Sequence, residues 1–261
     1  MRKLLYFIRR RPGSTEPWPA RWRQHGALGM SRTVLWQALS KYSQCDSIRA
    51  WLPGERAKHT FDGVGLCWFA ESAGADAGPT TLPDSEGVEM LLADELKAFE
   101  KPVSQCSVLA EETVIREGSG PIKLFACARK VPQPQSQSPQ SDFTAQLRRF
   151  AHLLNDAFDA TQLYRISVCI PVDASSHAAS DIHCDGILEL SFGSIESATS
   201  LITSPEYQGA KQTVAAVLIP AVRLIATHEN MLFDPASGID RSQELISAHL
   251  NQSSVASTSP V

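Results

Sequence analysis

"KLLYFIRRRPG" (residues 3–13) returns in altered form as "KLFACARKVPQ" (123–133). Each stretch opens on a lysine and an apolar run of strand length, then turns basic and reaches a proline. The recurrence continues down the chain. "FDGVGLCWF" (61–69) matches "CDGILELSF" (184–192), with Asp-Gly leading into a strand that ends in Phe. "SEGVEMLLADELKAFEKP" (85–102) corresponds to "SPEYQGAKQTVAAVLIP" (204–220), a helix stopped by Pro102 or Pro220. The closing strands, "VSQCSVLAEETVI" (103–115) and "AVRLIATHENMLF" (221–233), align Glu111 with Glu229. Matched blocks in one order at a nearly constant offset mark two copies of one unit.

Each copy reads strand, helix, strand, strand, helix, strand. The strands are expected at 2–9, 36–48, 63–70 and 103–115, and again at 122–129, 163–172, 186–193 and 221–233. The helices are expected at 16–29 and 84–99, then at 142–158 and 197–215. This β-α-β-β-α-β order is the ferredoxin-like plan, an α+β fold with both helices on one face of an antiparallel sheet. The other sheet face is left bare, and two copies bury those faces by packing sheet to sheet. The units are placed at 1–117 and 122–234, with "GSGP" (118–121) as linker and a disordered tail from 235 to 261. "ESAGADAGPTTLPD" (71–84) and "VPQPQSQSPQS" (131–141) read as loops.

Composition is that of an ordinary globular protein, with 43% hydrophobic and 20% charged residues. A net charge of −4 excludes the concentrated positive field of a nucleic-acid binder. Arg9, Arg10 and Arg11 read as a solvated strand end. The apolar run Leu4 to Ile8 is shorter than the roughly 7–15 residues of a signal-peptide core. Val214 to Ala226 is interrupted by Pro220 and Arg223 and is too short to span a bilayer. A cytoplasmic protein with no membrane partner is expected. The cysteines, at 45, 67, 106, 127, 169 and 184, form no C-x-x-C pair and read as reduced, buried thiols.

"WPARWRQHGAL" (18–28) spaces Trp18, Trp22 and His25 on one helical face. The same spacing in the second copy selects Phe143, Leu147 and Phe150, which keeps the apolar face and loses the histidine. His152 turns away from that face and reads as exposed. The W-x-x-x-W-x-x-H-G helix, the "DGILELSF" strand and the "SPE" opening of the last helix together resemble the EthD family of dimeric α+β barrel proteins. The resemblance covers nearly the whole chain as two tandem copies. It implies an internal pseudo-dimeric α+β barrel and carries the family's helix histidine over to His25. It also implies work on small hydrophobic, cyclic or aromatic compounds in degradation or tailoring. Relatives act as dehydratases, decarboxylases or cofactor-free oxygenases, and more distant barrels bind haem.

Alternation along the third strand of each copy separates two faces. Leu188, Leu190 and Phe192 should pack on helices, so Ile187, Glu189 and Ser191 face the space between the sheets. In the first copy Gly65, Cys67 and Phe69 oppose Val64, Leu66 and Trp68. Glu189 in a partly apolar space would have a raised pKa and serve, with His25, as general acid or base. Tyr6, Trp18, Trp22 and Trp68 are the candidate substrate-binding residues. Against this stand a structural histidine bonded to backbone, a solvated or salt-bridged Glu189 and a structural Tyr6. His177, His183, Cys184 and Asp185 lack zinc-ligand spacing, so no metal is expected, and Asp185-Gly186 reads as a turn. Neither a dinucleotide loop nor G-x-S-x-G is present.

Two functions remain open on these residues. One is a cofactor-independent lyase, isomerase or oxygenase acting on a small hydrophobic molecule. The other is a non-catalytic binding or accessory protein, with haem binding as a minor variant. No cofactor is expected, and further association of whole chains is left open.

Overall fold

The computed structural model describes residues 1–49, 51, 61–74, 84–132, 140–172 and 184–248. The first half contains β1 (Arg2–Ile8), α1 (Trp18–Met30), α2 (Thr33–Gln37), β2 (Leu39–Ser47), β3 (Gly63–Phe69), α3 (Ser85–Ala98) and β4 (Ser107–Arg116). The second contains β5 (Ile122–Lys130), α4 (Gln140–Ala157), β6 (Arg165–Pro171), β7 (Gly186–Phe192), α5 (Ile195–Thr203), α6 (Pro205–Val214) and β8 (Leu218–Asp234). The strands run in the order β2-β3-β1-β4-β6-β7-β5-β8, all pairs antiparallel, and β2 pairs back onto β8. Each half contributes the order 2-3-1-4, and each half's fourth strand joins the other's second. The result is a closed eight-strand barrel of two ferredoxin-like sheets, which leaves no long unpaired edge.

Alternation along the strands divides the interior into three cores. Leu4, Tyr6 and Ile8 of β1 point outward and pack with Trp22, Ala27 and Met30 of α1 and Ala98 of α3. Leu124, Ala126 and Ala128 of β5, with Leu188, Leu190 and Phe192 of β7, pack outward on Phe143, Leu147, Phe150 and Leu201. Leu5, Phe7, Val64, Leu66, Trp68, Phe125 and Ile187 fill the barrel itself. The faces of β3 and β7 therefore lie as their alternation predicts.

The Asp-Gly pair has the same task in both halves. Asp62 accepts the backbone N–H of Arg10 at 2.8 Å, and Asp185 accepts that of Lys130 at 2.8 Å, tying the end of the first strand to the start of the third. The glycines make room for the helix face. A Cβ at Gly63 would stand 2.2 Å from the Trp22 ring, and one at Gly186 would stand 2.6 Å from Leu147. Gly65 likewise admits Tyr6, whose ring carbon lies 1.8 Å from the position a Cβ would take.

Four expectations are corrected. The helix expected at 197–215 is two helices, because Pro205 lacks an N–H and Ser204 caps the second by accepting from Tyr207 N at 3.1 Å. Pro220 does not stop a helix but lies inside β8, beside a register shift between Cys127 and Arg129 that spares the missing donor. The second strand begins at Leu39, since residues 33–37 wind into α2. The tail expected from 235 is partly ordered: Ile239–Asp240 pairs with β8 as β9, and Leu245 is buried with the first half's outer core. Residues 249–261 and most of both expected loops lie outside the described residues. No described helix is long and apolar enough to cross a membrane.

Candidate functional site

The predicted site residues fall into two compartments separated by the sheet. Glu189 and Trp68 are inside the barrel, whereas His25, Tyr6, Trp18 and Trp22 lie between the first half's sheet and its helices. They do not converge on one cavity.

The barrel compartment is an ionic network. Glu189, fully buried, accepts Lys3 Nζ through one carboxylate oxygen and Lys123 Nζ through the other. Lys3 also reaches Glu112 at 3.0 Å, and Glu112 further accepts Trp68 Nε1 at 2.8 Å, Ser167 Oγ at 2.8 Å and Arg165 at 3.3 Å. The Lys3 ammonium sits 4.2 Å from the centre of the Trp68 ring. Buried charges persist only when paired and hydrogen-bonded in this way. The pairing reverses one expectation. Burial pushes the Glu189 carboxyl up, but the charges of Lys123 and Lys3 outweigh it and hold it below the usual carboxylate range. A carboxylate so held is a structural ion and a weak general acid or base. Glu112, Cys169 and Glu189 would place three ligand atoms within 4.8 Å of one another. The set suits a cation poorly, because lysines already neutralise both carboxylates and burial raises the thiol well above its ordinary value. His177 and His183 lie outside the described residues; Asp185 is the turn residue described above.

Sequence reasoning missed most of this network, although a signal was present. Strand β2 carries Lys41-x-Ser43-x-Cys45 and β6 carries Arg165-x-Ser167-x-Cys169. The registers make these equivalent, since Cys45 pairs with Glu229 and Cys169 with Glu112. Glu112, not the exposed Glu111, is therefore the counterpart of Glu229: Ala110 pairs with Lys3 as Thr227 pairs with Lys123, two positions earlier.

In the outer compartment of the first half, His25 Nδ1 lies 2.9 Å from Asp94 Oδ2. Arg21 grips the same carboxylate through Nη2 to Oδ1 at 2.6 Å and Nη1 to Oδ2 at 3.2 Å, the fork geometry that suits a carboxylate. The His25 ring packs edge-on against Phe99 at 4.9 Å. It is bonded to a side chain rather than to backbone. Nearby, Tyr6 and Tyr42 share a hydroxyl hydrogen bond of 2.9 Å, and Gln44 Nε2 donates to Tyr42 at 2.8 Å and to the Trp22 carbonyl at 3.0 Å. Trp18 stacks on Trp22 and donates to the Asp62 carbonyl at 3.1 Å. The Trp22 indole N–H turns toward Tyr6 without reaching hydrogen-bond geometry, and Trp36 Nε1 is likewise buried and unpartnered. The second half has only apolar side chains at the equivalent helix positions, and His152 is exposed as its position implies.

Burial pushes the Asp94 carboxyl up, but the hydrogen bonds from His25 and Arg21 prevail and bring it down to about 2. As pH falls, the unfolded chain takes up this proton first, at the ordinary value of 3.8. The tie between α1 and α3 therefore contributes on the order of 1 kcal/mol above that value, solvent screening of the half-buried carboxylate included, and the contribution fades as pH drops to about 2. Melting curves of the wild type and Asp94→Asn should differ at neutral pH and converge in acid. A constant gap across the range would remove Asp94 as the titrating group.

No protein-family profile matches the chain, and no curated protein matches it by sequence. By backbone geometry it is similar to a candidate monooxygenase of Fusobacterium nucleatum subsp. nucleatum, with TM-score 0.53 and 7% identity over 89% of this chain and 92% of that one. It is similar also to a candidate monooxygenase of Lactobacillus acidophilus, with TM-score 0.51 and 8% identity over 89% and 95% of the two chains. A candidate chlorite dismutase matches with TM-score 0.52 and 6% identity over 88% and 94%. The likeness is one of fold. It supports the dimeric α+β barrel architecture carried by a single chain and transfers no residue role.

Proposed function

We propose that the chain is an EthD-like, cofactor-independent cytoplasmic enzyme of lyase, isomerase or oxygenase type. Its substrate is a small hydrophobic cyclic or aromatic compound, bound in the first half between α1, α3 and the sheet. The observation that carries this reading is the Arg21–Asp94–His25 relay. An ionised Asp94 accepting from His25 Nδ1–H leaves Nε2 with its lone pair, so Nε2 is the atom that takes a proton from substrate. Asp94, itself fixed by Arg21, then stabilises the imidazolium. This is the base-plus-orienter arrangement of enzymes that move protons. Trp22 Nε1 and Trp36 Nε1 supply buried donors that a substrate oxygen would satisfy. Glu189 has no part in this chemistry, since its two oxygens are held by lysines on the far side of the sheet.

One observation favours the alternative, a non-catalytic binding protein. His25 is only 6% exposed and is pressed against Phe99, so the relay would then be a clamp between two helices. Native mass spectrometry of the purified protein, followed by the same sample denatured, tests the shared premise. A 28.5 kDa single chain carrying an organic adduct that denaturation releases is the expected result. Incubating that compound with fresh protein separates enzyme from carrier by whether it is consumed. A protein that carries nothing and gains nothing from a panel of cyclic compounds would end both readings.

A further inference from the structure

The barrel interior is nearly two-fold symmetric in sequence register, and the departure from symmetry lies at the Lys123 end. Trp68 stands beside Lys3, and Ser191 stands at the equivalent place beside Lys123. At the first end Glu112 is saturated: Lys3, Trp68 Nε1, Ser167 Oγ and Arg165 all donate to it. At the other end Glu229 keeps only the lysine of these four. The tryptophan is replaced by Ser191, whose Oγ is buried without a partner. Ser43, the match of Ser167, donates instead to the Asn230 carbonyl at 3.3 Å. Lys41, the match of Arg165, is drawn away to Asp234 at 3.0 Å. Lys123 stands at ion-pair distance, 3.4 Å, yet Glu229 Oε1 accepts no hydrogen bond. The Glu229 side chain is also the more open of the two, 9% exposed against 2% for Glu112.

We infer that this end of the barrel binds a small, neutral, planar N–H heteroaromatic molecule of the indole class, lying across Lys123 between Ser191 and Glu229. The chain supplies the template itself. In the other half an indole crosses Lys3, takes the ammonium against its face and donates its N–H to the carboxylate. The exchange of tryptophan for serine removes that indole, and a buried hydroxyl and a buried carboxylate oxygen stand there without partners. A neutral ring fits better than an aromatic cation, because the Lys123 ammonium would face it. This compartment lies on the opposite side of the sheet from the His25 layer and does not depend on the enzymatic reading.

Indole and 1-methylindole, matched in shape and differing in the N–H, are the probes. Titration of the intact protein with indole at up to millimolar concentration, followed by isothermal calorimetry and by melting temperature, should show saturable binding. Binding of 1-methylindole should be at least tenfold weaker. Ser191→Trp should fill the space, abolish indole binding and leave the melting temperature unchanged or higher. Glu229→Gln, which keeps size and polarity, should weaken indole binding and leave 1-methylindole unaffected. Equal binding of the two probes, survival of indole binding in a folded Ser191→Trp, or no binding at all would overturn the inference. The wild-type probe comparison decides the matter even if Ser191→Trp fails to fold.

Discussion

Replacing Glu189 by leucine is expected to cost the fold about 3–5 kcal/mol, the penalty for removing one partner of a buried ionic group. The size of the new side chain is not the cause, because a leucine, Leu66, is buried at the equivalent barrel position of the first half. What fails is charge. Lys3 and Lys123 both give a hydrogen bond to Glu189, and neither is more than slightly exposed, so the variant leaves two ammonium groups short of a partner in the barrel. Against a total stability of roughly 5–15 kcal/mol this is a large fraction, and the melting temperature should fall by about 6–20 °C. Adding Lys3→Met to Glu189→Leu should recover part of the loss, since Glu112 keeps Trp68, Ser167 and Arg165 as donors. The recovery is the informative result, because a pair that shares a network couples non-additively. If Glu189→Leu melts with the wild type, or if the two substitutions simply add, the ionic centre does not hold the barrel closed.

The same network shows where sequence reading succeeds and where it stops. The two-fold plan was legible because matched blocks recur along the chain, and the inward face of β7 because it follows from periodicity inside one segment: Leu188, Leu190 and Phe192 alternate with Ile187, Glu189 and Ser191 whatever lies opposite. The fate of Glu189 was not legible. Its partners come from β1 and β5, and Lys3 reaches it across 186 residues of chain. A lysine next to Arg2 at the start of a strand reads as solvated until the register of the closing strands turns it inward. The division of the expected site has a similar origin. Helical spacing puts Trp18, Trp22 and His25 on one face, and that much holds, but spacing cannot say whether the face looks onto the barrel cavity or onto the back of the sheet. Tyr6 alternates with Lys3, Leu5 and Phe7 and lies on the helix side. Asp94 was not singled out, being one acid among several on α3, and what distinguishes it is the Arg21 and His25 that α1 brings to it.

His25→Ala should slow turnover of the compound found bound to the protein by about 10²–10⁴-fold, the usual contribution of a positioned acid–base group. The helix should survive the change, because alanine has the highest helix propensity and the apolar contacts of Trp22 and Met30 remain. The fall should lie in kcat with KM little altered, since Nε2 acts on the proton in flight and not on the bound ring. Asp94→Asn should fall between the two: the carboxamide keeps the size but no longer fixes the Nδ1–H tautomer or stabilises the imidazolium. Phe150→His, which restores the histidine at the equivalent position of the second half, should do nothing for rate, because Asp94 and Arg21 have no counterparts among the apolar residues around it. Added imidazole offers a readout that a merely structural clamp would not move. It should enter the space vacated in His25→Ala and return part of the rate without changing the melting temperature. A folded His25→Ala with full activity would dismiss the relay as chemistry. It would leave His25 and Asp94 as a tie between α1 and α3, and the chain as a binding protein whose specificity rests on Trp22, Trp36 and the Tyr6–Tyr42 pair.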